Sequence, residues 1–517
     1  MPHENRSAGR GPLLGTWDVV VVGGGGSGLA AAVTAAGEGA SVVCLEKNPY
    51  LGGTTSIAVG SLTAARTSLQ KMAGIEDDFD EHVEDMLLFR PEDRNRANLE
   101  IQQVLAREAA NTLDWLQTLG VQFAGPFPEP PNRVPRMHNV IPSAKAYIAA
   151  LQRKALSLGV TIYTGIAVES LLANDSGRVT GIRVVRDGEA QDVQARRGVI
   201  LAAGDYSNSH ELKRLSVDEE VANVEGINPT ATGDGHKMGM ELGAEAKNMD
   251  LMLGPQIRFV PPPRKPFGQL LPANPTFAKL AAGVLKILPQ SFIHWYAKSL
   301  LVTWQAPELT LFESGAALVN QEGNRFVDET GSRRELAIPA QTDKVATILF
   351  DGRIAEKFSE WPNFISTAPD IAYAYVKDYR ARRPDLYHES ATISGLARLL
   401  QVDAANLQSA IDELNKAEDE GSADAFGRTD FAGGLRKPPY YALGHAKAWI
   451  VHADGGLNVN TDCQILRDDG TIIEGLYGAG SNAQSGMILW GHGLHIAWAF
   501  TSGRIAGRSA AEADAID

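Results

Sequence analysis

Cysteine is scarce in this chain of 517 residues, which contains only Cys44 and Cys463. Two distant cysteines cannot form a C-x-x-C-H haem motif, a four-cysteine iron–sulfur site or a disulfide framework. These classes are therefore excluded, and we predict no metal site. Few cysteines are typical of proteins in a reducing cytoplasm, where we expect this one.

The chain also lacks an excess of positive charge. Its 48 Lys and Arg residues face 62 Asp and Glu residues, which gives a formal net charge of −14. Because nucleic acid phosphates select basic surfaces, we expect no nucleic acid partner.

Long hydrophobic runs are missing as well. Residues 1–15 are polar and glycine-rich, without the apolar core of a secretory signal, and we predict a disordered tail there. The stretch Phe277–Trp304 is apolar, but lysine, glutamine and histidine side chains interrupt it before the roughly 20 residues that a membrane span requires. We expect no transmembrane helix, and peripheral contact of this stretch with a membrane stays open.

Glycine-rich, strand-like segments lie at both ends of the chain. The middle differs, with proline clusters and tryptophans around residues 255–307 and charged helical patterns at Ile371–Arg383 and Asp403–Glu418. This change of character predicts a nucleotide-binding domain in two parts, residues 16–250 and 435–517, interrupted by a capping domain at residues 251–434. Residues 255–307 fit a substrate lid, a packed helical hairpin or a membrane-resting surface.

The amino-terminal segment has the pattern of a β-α-β unit. A β-branched run at Trp17–Val22 precedes an alanine-rich helical segment, and Ser41–Leu45 is the next apolar strand. The turn between strand and helix reads G-x-G-x-x-G, with Gly23, Gly25 and Gly28. Such glycines permit a tight turn, close approach of a pyrophosphate and tight packing of helix on strand.

An acidic residue completes this fingerprint. Glu46 ends the second strand, 18 residues after Gly28, where a carboxylate can accept a hydrogen bond from an adenosine ribose hydroxyl. Val160–Val185 alternates like a β-meander. The strands Val199–Gly204 and Gly475–Gly480 return to the same sheet, which favours the long FAD molecule over NAD.

Several segments together resemble the fumarate reductase/succinate dehydrogenase flavoprotein family, including its 3-ketosteroid dehydrogenase branch. They span nearly the whole chain: Asp18–Glu46, Gly52–Thr55, Ala231–Gly235, Gly323–Glu329, His452–Gly456 and Gly475–Gly507. The resemblance implies an α/β fold in which a Rossmann-like FAD-binding domain of the GR2 type, with a βββ meander, is interrupted by a mobile α+β capping domain. Substrate would lie between the two domains.

The same resemblance implies a set of FAD-binding residues. They are Gly23, Gly25, Gly26, Ser27, Gly28, Glu46, Lys47, Gly52, Gly53, Thr54, Thr55, Ala167, Ala203, Gly204, Asp234, Gly480 and Ser481. Members that link FAD covalently use a histidine just after the Gly-Gly segment. No histidine follows Gly53 until His82, so we predict noncovalent FAD.

Four residues are candidates for catalysis. Arg333 stands at the spacing where fumarate reductases have their proposed proton donor, although a guanidinium is a poor acid and a surface arginine fits equally. His452 matches their substrate-binding histidine. Gly493 could donate its backbone N–H to a ketone oxygen, as in the ketosteroid branch, and Tyr441 is a phenol candidate. His492 and His495 are interpreted as structural.

One departure from the fumarate reductases bears on the substrate. They hold a second carboxylate with an arginine in the last glycine-rich motif, but this chain has no arginine between Arg467 and Arg504. Met487, Leu489 and Trp490 suggest an apolar wall instead. Because an unpaired buried carboxylate costs several kcal/mol, a C4 dicarboxylate is disfavoured unless Arg258 or Arg264 replaces the missing group.

Three functions remain open at this point. We expect FAD-dependent α,β-dehydrogenation of an apolar cyclic ketone, such as a ketosteroid, with oxygen, quinone or a soluble carrier as electron acceptor. The second is reduction of an α,β-unsaturated carboxylate or enone, and the third is a non-catalytic flavin-binding protein. The sequence predicts no oligomeric state.

Overall fold

The computed structural model describes residues 15–186, 188–264, 270–285, 298, 301–303, 305–368 and 372–516. The predicted tail lies outside these residues except for Gly15, and so does most of Phe277–Trp304. A search of the described residues finds no helix with the length and apolar character needed to cross a membrane.

A large sheet of eight strands forms the first layer of the fold. Its main path has the order Gln464–Leu466, Ile472–Gly478, Glu189–Leu201, Thr16–Val22, Val42–Glu46 and Thr161–Thr164. The first strand pairs in parallel with Val42–Glu46 on one side and with Glu189–Leu201 on the other. Residues from both ends of the chain thus build one sheet, as the predicted interrupted domain requires.

The β-α-β unit forms because its strands are apolar on both faces. Val19, Val20 and Val21 are fully buried, and the helix Gly26–Gly37 that follows packs against the last helix, Leu494–Glu512. Small residues permit this contact: a Cβ atom on Gly503 would lie 2.4 Å from the carbonyl oxygen of Ser27. The two helices therefore pack closely against each other where they cover the sheet.

The predicted meander is confirmed with shifted bounds, because Thr161–Thr164 pairs in parallel with Val42–Glu46 and does not belong to it. Val168–Ala173, Val179–Arg186 and Glu189–Leu201 pair antiparallel in sequence order beside the parallel part of the sheet. A separate three-stranded sheet of Ser61–Thr63, Met137–Ile141 and Gln122–Phe127 lies earlier in the chain.

A second large sheet of six strands is built around one long strand, Tyr440–Ile450. This strand pairs with Glu225–Gly226, Gln256–Phe259, Ala346–Asp351 and Tyr387–Ser390. Ala317–Val319 extends the sheet from the Ala346–Asp351 edge. Tyr440–Ile450 follows the predicted boundary at residue 434, yet it pairs with strands of the central segment.

The remaining elements are short strands and helices around these sheets. The other strands are Ala246–Lys247, Met252–Leu253, Ser366–Ala368, Ala372–Ala374, His452–Ala453 and Gly456–Leu457. The other α-helices are Gly53–Ile57, Ser68–Met72, Phe79–Leu88, Leu99–Thr118, Lys145–Ser157, His210–Arg214, Glu219–Ala222, Asp234–Glu241, Pro275–Leu285, Leu309–Glu313, Arg334–Ala337, Gly352–Lys357, Val376–Arg382, Ile393–Leu400 and Ala404–Glu420. Short 3-10 helices are Pro91–Arg96, Ile338–Ala340, Thr342–Lys344 and Gly480–Ala483.

One helix predicted from charge pattern is wrong over its first residues. Within Ile371–Arg383, residues Ala372–Ala374 form a strand that pairs with Ser366–Ala368, and the helix covers only Val376–Arg382. The start of the segment is a strand because its backbone pairs with Ser366–Ala368, a contact that helical periodicity cannot reveal.

The Gly323–Glu329 segment forms a buried ionic network. Arg325 Nη2 lies 2.7 Å from Glu329 Oε2, and Arg428 Nη1 lies 2.8 Å from the same oxygen. The backbone N–H of Leu318 donates to Glu329 Oε1 at 3.0 Å. This part of the family motif thus stabilises the capping region, because Glu329 binds both arginines and the backbone of the strand Ala317–Val319.

Replacing Glu329 by alanine is expected to lower the free energy of unfolding by about 3–5 kcal/mol, because the buried Arg428 loses its carboxylate partner and Arg325 keeps only Asp424. Chemical denaturation of the flavin-loaded protein measures this change. The control is Glu420→Ala, which breaks an exposed pair with Lys416 and should cost less than about 1 kcal/mol. A similar cost for both variants would contradict the network's role.

Stability is expected to fall in mild acid because three histidines are buried. Burial lowers the pKa of His82 to about 3 and those of His138 and His236 to about 4, from an ordinary 6.5. Below pH 6.5 these histidines become protonated in the unfolded chain but stay neutral in the folded chain. The free energy of unfolding therefore falls between pH 6.5 and about 4. Urea unfolding should lose roughly 2 kcal/mol per histidine between pH 7.5 and 5.

Replacing His82 isolates the contribution of one buried histidine to the pH dependence of stability. Within the described structure both ring nitrogens of His82 lack hydrogen-bond partners, so His82→Met should flatten the pH dependence by one histidine's share. His210→Gln, at an exposed position, should leave the slope unchanged. An unchanged slope in His82→Met would refute the assignment.

Candidate functional site

A cleft opens where parallel strands of the first sheet end. Its floor includes Val22, Glu46 and Ala202, each at or just beyond a strand's carboxyl end. Ligands of α/β sheets bind at such strand ends.

The glycine turn shapes one wall of the cleft. A Cβ atom on Gly23 would lie 2.3 Å from the Ala202 carbonyl oxygen, and one on Gly28 would lie 1.8 Å from the Gly23 carbonyl oxygen. A Cβ atom on Gly25, in contrast, would meet no atom within 4 Å. Gly25 also precedes the helix Gly26–Gly37, whose free N–H groups suit a phosphate.

Glu46 is held rigidly at the edge of the cleft. Its Oε2 accepts from the Gly24 N–H at 2.8 Å, and its Oε1 accepts from the Asn48 N–H at 2.8 Å. The carboxylate is 6% exposed and lines the cleft, where its remaining lone pairs can accept from a ribose hydroxyl. Beside it, Lys47 Nζ lies 2.7 Å from Asp234 Oδ2.

Other lining residues come from distant parts of the chain. Thr54 and Thr55 line the cleft, and Asn228 Nδ2 donates to Thr54 Oγ1 at 2.9 Å. Ser481 and Ala499 also line the cleft. Gly480, with a φ of 64°, donates its N–H to Ser502 Oγ at 2.8 Å, and a Cβ there would touch Ser27.

Most predicted cofactor residues lie in this cleft. Those that line it are Gly23, Gly25, Gly26, Ser27, Glu46, Lys47, Gly53, Thr54, Thr55, Ala203, Gly204, Asp234 and Ser481. Gly28, Gly52 and Gly480 shape the turns behind it, and Ala167 stands between the lining residues Ile166 and Val168.

Sequence reasoning missed several lining residues. They are Asn48, Asp205, Asn228, Thr230 and Met238, among others. Three of them could have been found because they neighbour predicted residues in the sequence. Asn228 and Thr230 precede the recognised segment Ala231–Gly235, and Asp205 follows Gly204. The open space at Gly25, the free helix end and the placed carboxylate together fit an extended adenine dinucleotide.

Replacing Glu46 by alanine is expected to weaken FAD binding by about 10- to 100-fold, because a hydrogen bond to a charged group contributes about 1.5–3 kcal/mol. Titration of flavin-free protein with FAD, followed by flavin fluorescence, measures the affinity. Glu76→Ala, at an exposed glutamate, is the matched control and should bind like the parent protein. Equal affinity in both variants would remove Glu46 from the site.

A second polar group lies beside the cleft, formed by His452, Asp454 and His495. Asp454 is fully buried, with its Oδ1 atom 3.0 Å from His495 Nε2 and 3.5 Å from His452 Nδ1. The two imidazole rings are 4.1 Å apart. His495 stands one helical turn before the cleft-lining Ala499, on the same face of the last helix.

Electrostatics keep the Asp454 carboxyl ionised. Burial alone would raise its pKa, but His452 and His495 outweigh that effect and hold the pKa far below its ordinary value. Burial and the charge of His452 lower the pKa of His495. Gln484 Nε2 donates to Asp454 Oδ1 at 2.8 Å and fixes the carboxylate.

The other catalytic candidates lie elsewhere. The Arg333 side chain is 62% exposed, pairs with Glu220 and lines a separate depression with Phe326 and Phe426. Tyr441 stacks on Phe350 in the second sheet, with ring centroids 5.3 Å apart. Of the four catalytic candidates, His452 therefore lies in the polar group. Its partners there are His495, which was interpreted as structural, and Asp454, which the sequence analysis did not single out.

Gly493 caps the amino end of the last helix with a φ of 86°. A Cβ atom there would lie 2.8 Å from the Thr63 backbone nitrogen, so the position has room only for glycine. Nearby, Met487 and Leu489 are fully buried in the core, and Arg90 lies over the Trp490 ring at 4.1 Å.

Arg258 and Arg264, the alternatives for a carboxylate clamp, differ in position. Arg264 is exposed, whereas Arg258 lies on the strand Gln256–Phe259, and burial lowers its pKa to about 10. The charge of Arg258 also acts on His492, which neighbours the last helix. Arg258 therefore stays protonated at neutral pH.

A dinucleotide cleft at the strand ends, with glycine-rich segments returning from both chain ends, defines a flavoprotein. The chain belongs to the FAD binding domain family, whose model matches residues 18–263 and 277–492. It is 28% identical over 512 residues to a urocanate reductase of Eggerthella lenta, with 96% of this chain and 74% of that protein covered.

Two solved structures share the fold. The open conformation of a flavocytochrome c3 fumarate reductase has a TM-score of 0.70 and 26% identity, and the alignment covers 96% of this chain and 78% of that one. A 3-ketosteroid Δ1-dehydrogenase of Sterolibacterium denitrificans has a TM-score of 0.62 and 21% identity, with 96% and 100% covered, which supports the fold alone.

These findings confirm the resemblance to the fumarate reductase flavoproteins, an α/β fold shared with the ketosteroid dehydrogenase, and FAD as the cofactor. The protein is an FAD-dependent oxidoreductase that acts on a CH–CH group.

Proposed function

We propose that the protein reduces a carbon–carbon double bond conjugated to a single carboxylate or ketone, in a molecule with an otherwise apolar body. The cluster of His452, Asp454 and His495 beside the flavin cleft carries this proposal, because such a reduction needs a proton donor there.

The chemistry divides between cofactor and protein. FAD, when bound and reduced, supplies a hydride equivalent to the β-carbon of the conjugated system. His452 donates the proton that the α-carbon takes up. Asp454, whose Oδ1 lies 3.5 Å from His452 Nδ1, is a positioning residue whose charge stabilises the imidazolium form of His452.

The surroundings of Arg333 support a histidine as the donor. A guanidinium holds its protons too tightly to be a good acid. Its hydrogen bond to Glu220 raises the pKa of Arg333 further, and the side chain is exposed.

The reductive direction is supported by the relatives, which include a urocanate reductase and a probable fumarate reductase. Urocanate and fumarate both contain a double bond conjugated to a carboxylate. A single carboxylate suits the protonated Arg258, whereas this chain has no arginine between Arg467 and Arg504, the glycine-rich stretch in which fumarate reductases have one.

The reverse reaction is the second candidate. Dehydrogenation of an apolar cyclic ketone would use the same groups, with His452 accepting the α-proton. The missing arginine between Arg467 and Arg504 favours it, since a ketone needs no charged partner.

A substrate panel tests the proposal. Under anaerobic conditions, oxidation of reduced methyl viologen is followed with an aryl-substituted acrylate, a cyclic enone and fumarate. We expect turnover with the acrylate or the enone at a kcat/KM at least tenfold above that for fumarate. Highest activity with fumarate would contradict the substrate class, and activity solely with saturated cyclic ketones and an artificial acceptor would favour the second candidate.

A further inference from the structure

We propose that His452, Asp454 and His495 form a binding site for one divalent first-row transition metal ion, such as Zn²⁺, and that its binding inhibits the enzyme. One ligand atom from each residue can be chosen so that all three lie within 4.8 Å of one another. The binding itself is independent of the proposed function, whereas the inhibition rests on it.

The distances from the carboxylate oxygen to the two ring nitrogens suit a shared ion. Bonds of about 2.0–2.2 Å to nitrogen or oxygen separate two ligands by about 3.3–3.6 Å at a tetrahedral angle and by about 2.8–3.1 Å at a right angle. The distances from Asp454 Oδ1 to His495 Nε2 and His452 Nδ1 are 3.0 and 3.5 Å. Both values lie in these ranges without movement of the backbone.

Unsatisfied atoms are the second observation. His452 Nδ1, His495 Nε2 and Asp454 Oδ2 are buried and have no hydrogen-bond partner in the described structure. The short distances from the ring nitrogens to the carboxylate do not have the direction of hydrogen bonds. Because buried polar atoms are nearly always satisfied, two such ring nitrogens within 3.5 Å of the same oxygen, Asp454 Oδ1, fit a shared cation.

The ligand types narrow the choice of ion. Two imidazole nitrogens and one carboxylate oxygen favour zinc, iron, cobalt, nickel or copper over magnesium and calcium. The carboxylate is supported from behind by Gln484, which donates to Asp454 Oδ1 at 2.8 Å, as the outer partners of metal ligands commonly do. Three protein ligands leave at least one position for water or another small ligand.

Occupation of this site has a functional consequence. A metal ion would take the Nδ1 lone pair of His452 and neutralise Asp454, the residue that positions it. His452 could then no longer donate a proton to substrate. Micromolar Zn²⁺ is therefore expected to inhibit turnover, and removal of the ion by a chelator to restore it.

Calorimetric titration of the chelator-treated, FAD-loaded protein with Zn²⁺ tests the site. We expect one Zn²⁺ per chain, with affinity at least tenfold weaker in Asp454→Asn and in His495→Ala. His210→Ala, an exposed histidine variant, is the control and should bind Zn²⁺ like the parent protein. Flavin content and circular dichroism establish that each variant is folded.

A measurement on the unaltered protein tests the site even if the variants fail to fold. Pulsed EPR of bound Cu²⁺ counts coordinated imidazoles, and two are expected. The proposal is overturned if no ion binds in stoichiometric amount, if Cu²⁺ has fewer than two imidazole ligands, or if folded Asp454→Asn and His495→Ala bind Zn²⁺ as tightly as the parent. The three residues would then form a proton relay without a metal.

Discussion

Replacing His452 by alanine is expected to lower kcat for double-bond reduction by at least about 100-fold, because a positioned general acid contributes about 10²–10⁴ in rate. FAD should remain bound, since His452 is not among the residues that line the described cleft. Stopped-flow spectroscopy under anaerobic conditions measures the reoxidation of reduced flavin by substrate. His388→Ala, in a strand of the second sheet, is the control and should keep full activity.

The positioning role of Asp454 predicts a related but distinct result. Asp454→Asn keeps the shape of the side chain and removes its charge, so kcat should fall at least about tenfold while KM changes little. Asp454→Glu is expected to recover part of the lost kcat. Unimpaired turnover in His452→Ala would assign proton donation to another group, with Arg333 the first to test.

Replacing Gly25 by valine is expected to produce a folded protein that has lost its flavin. The Gly25 backbone, with φ −78° and ψ −169°, is accessible to any residue, and its Cβ position has no neighbour within 4 Å. The new side chain would occupy the cleft next to the helix end that receives the pyrophosphate, and we expect FAD affinity to fall at least about 100-fold.

Two companion variants make this prediction specific. Gly37→Val places the same side chain at the other end of the same helix, also in open space, and should retain FAD. Gly28→Ala would bring a Cβ within 1.8 Å of the Gly23 carbonyl oxygen, and should impair folding itself. Flavin content and thermal unfolding distinguish the three. Full flavin content in Gly25→Val would contradict the placement of the pyrophosphate.

The parts of the fold that depend on local pattern could be predicted from sequence. The β-α-β unit was recognisable because continuous apolar strands and the turn glycines lie within 30 residues of one another. The long strand Tyr440–Ile450 was harder to place, since its partners come from residues 225 to 390. Pairing over such separations is decided by packing and leaves no periodic signal in the strand itself.

In the site, too, residues set by local spacing could be predicted and residues brought together by packing could not. Glu46 follows from its spacing to the glycines, but Asp454 and His495 are 41 residues apart and meet only because the last helix packs beside the His452–Ala453 strand. An aspartate between a histidine and two glycines was the available clue. Spacing also placed Arg333 at a motif position, yet the direction of its side chain depends on Glu220, 113 residues earlier.

The identity and attachment of the cofactor are tested most directly by precipitating the purified protein with acid and measuring flavin in both fractions. One FAD per chain is predicted in the supernatant, with none on the precipitate, because no histidine lies among the described residues that line the cleft. Flavin retained on the precipitate would contradict noncovalent binding. A colourless protein that also fails to take up added FAD would contradict the central claim that this cleft holds the flavin.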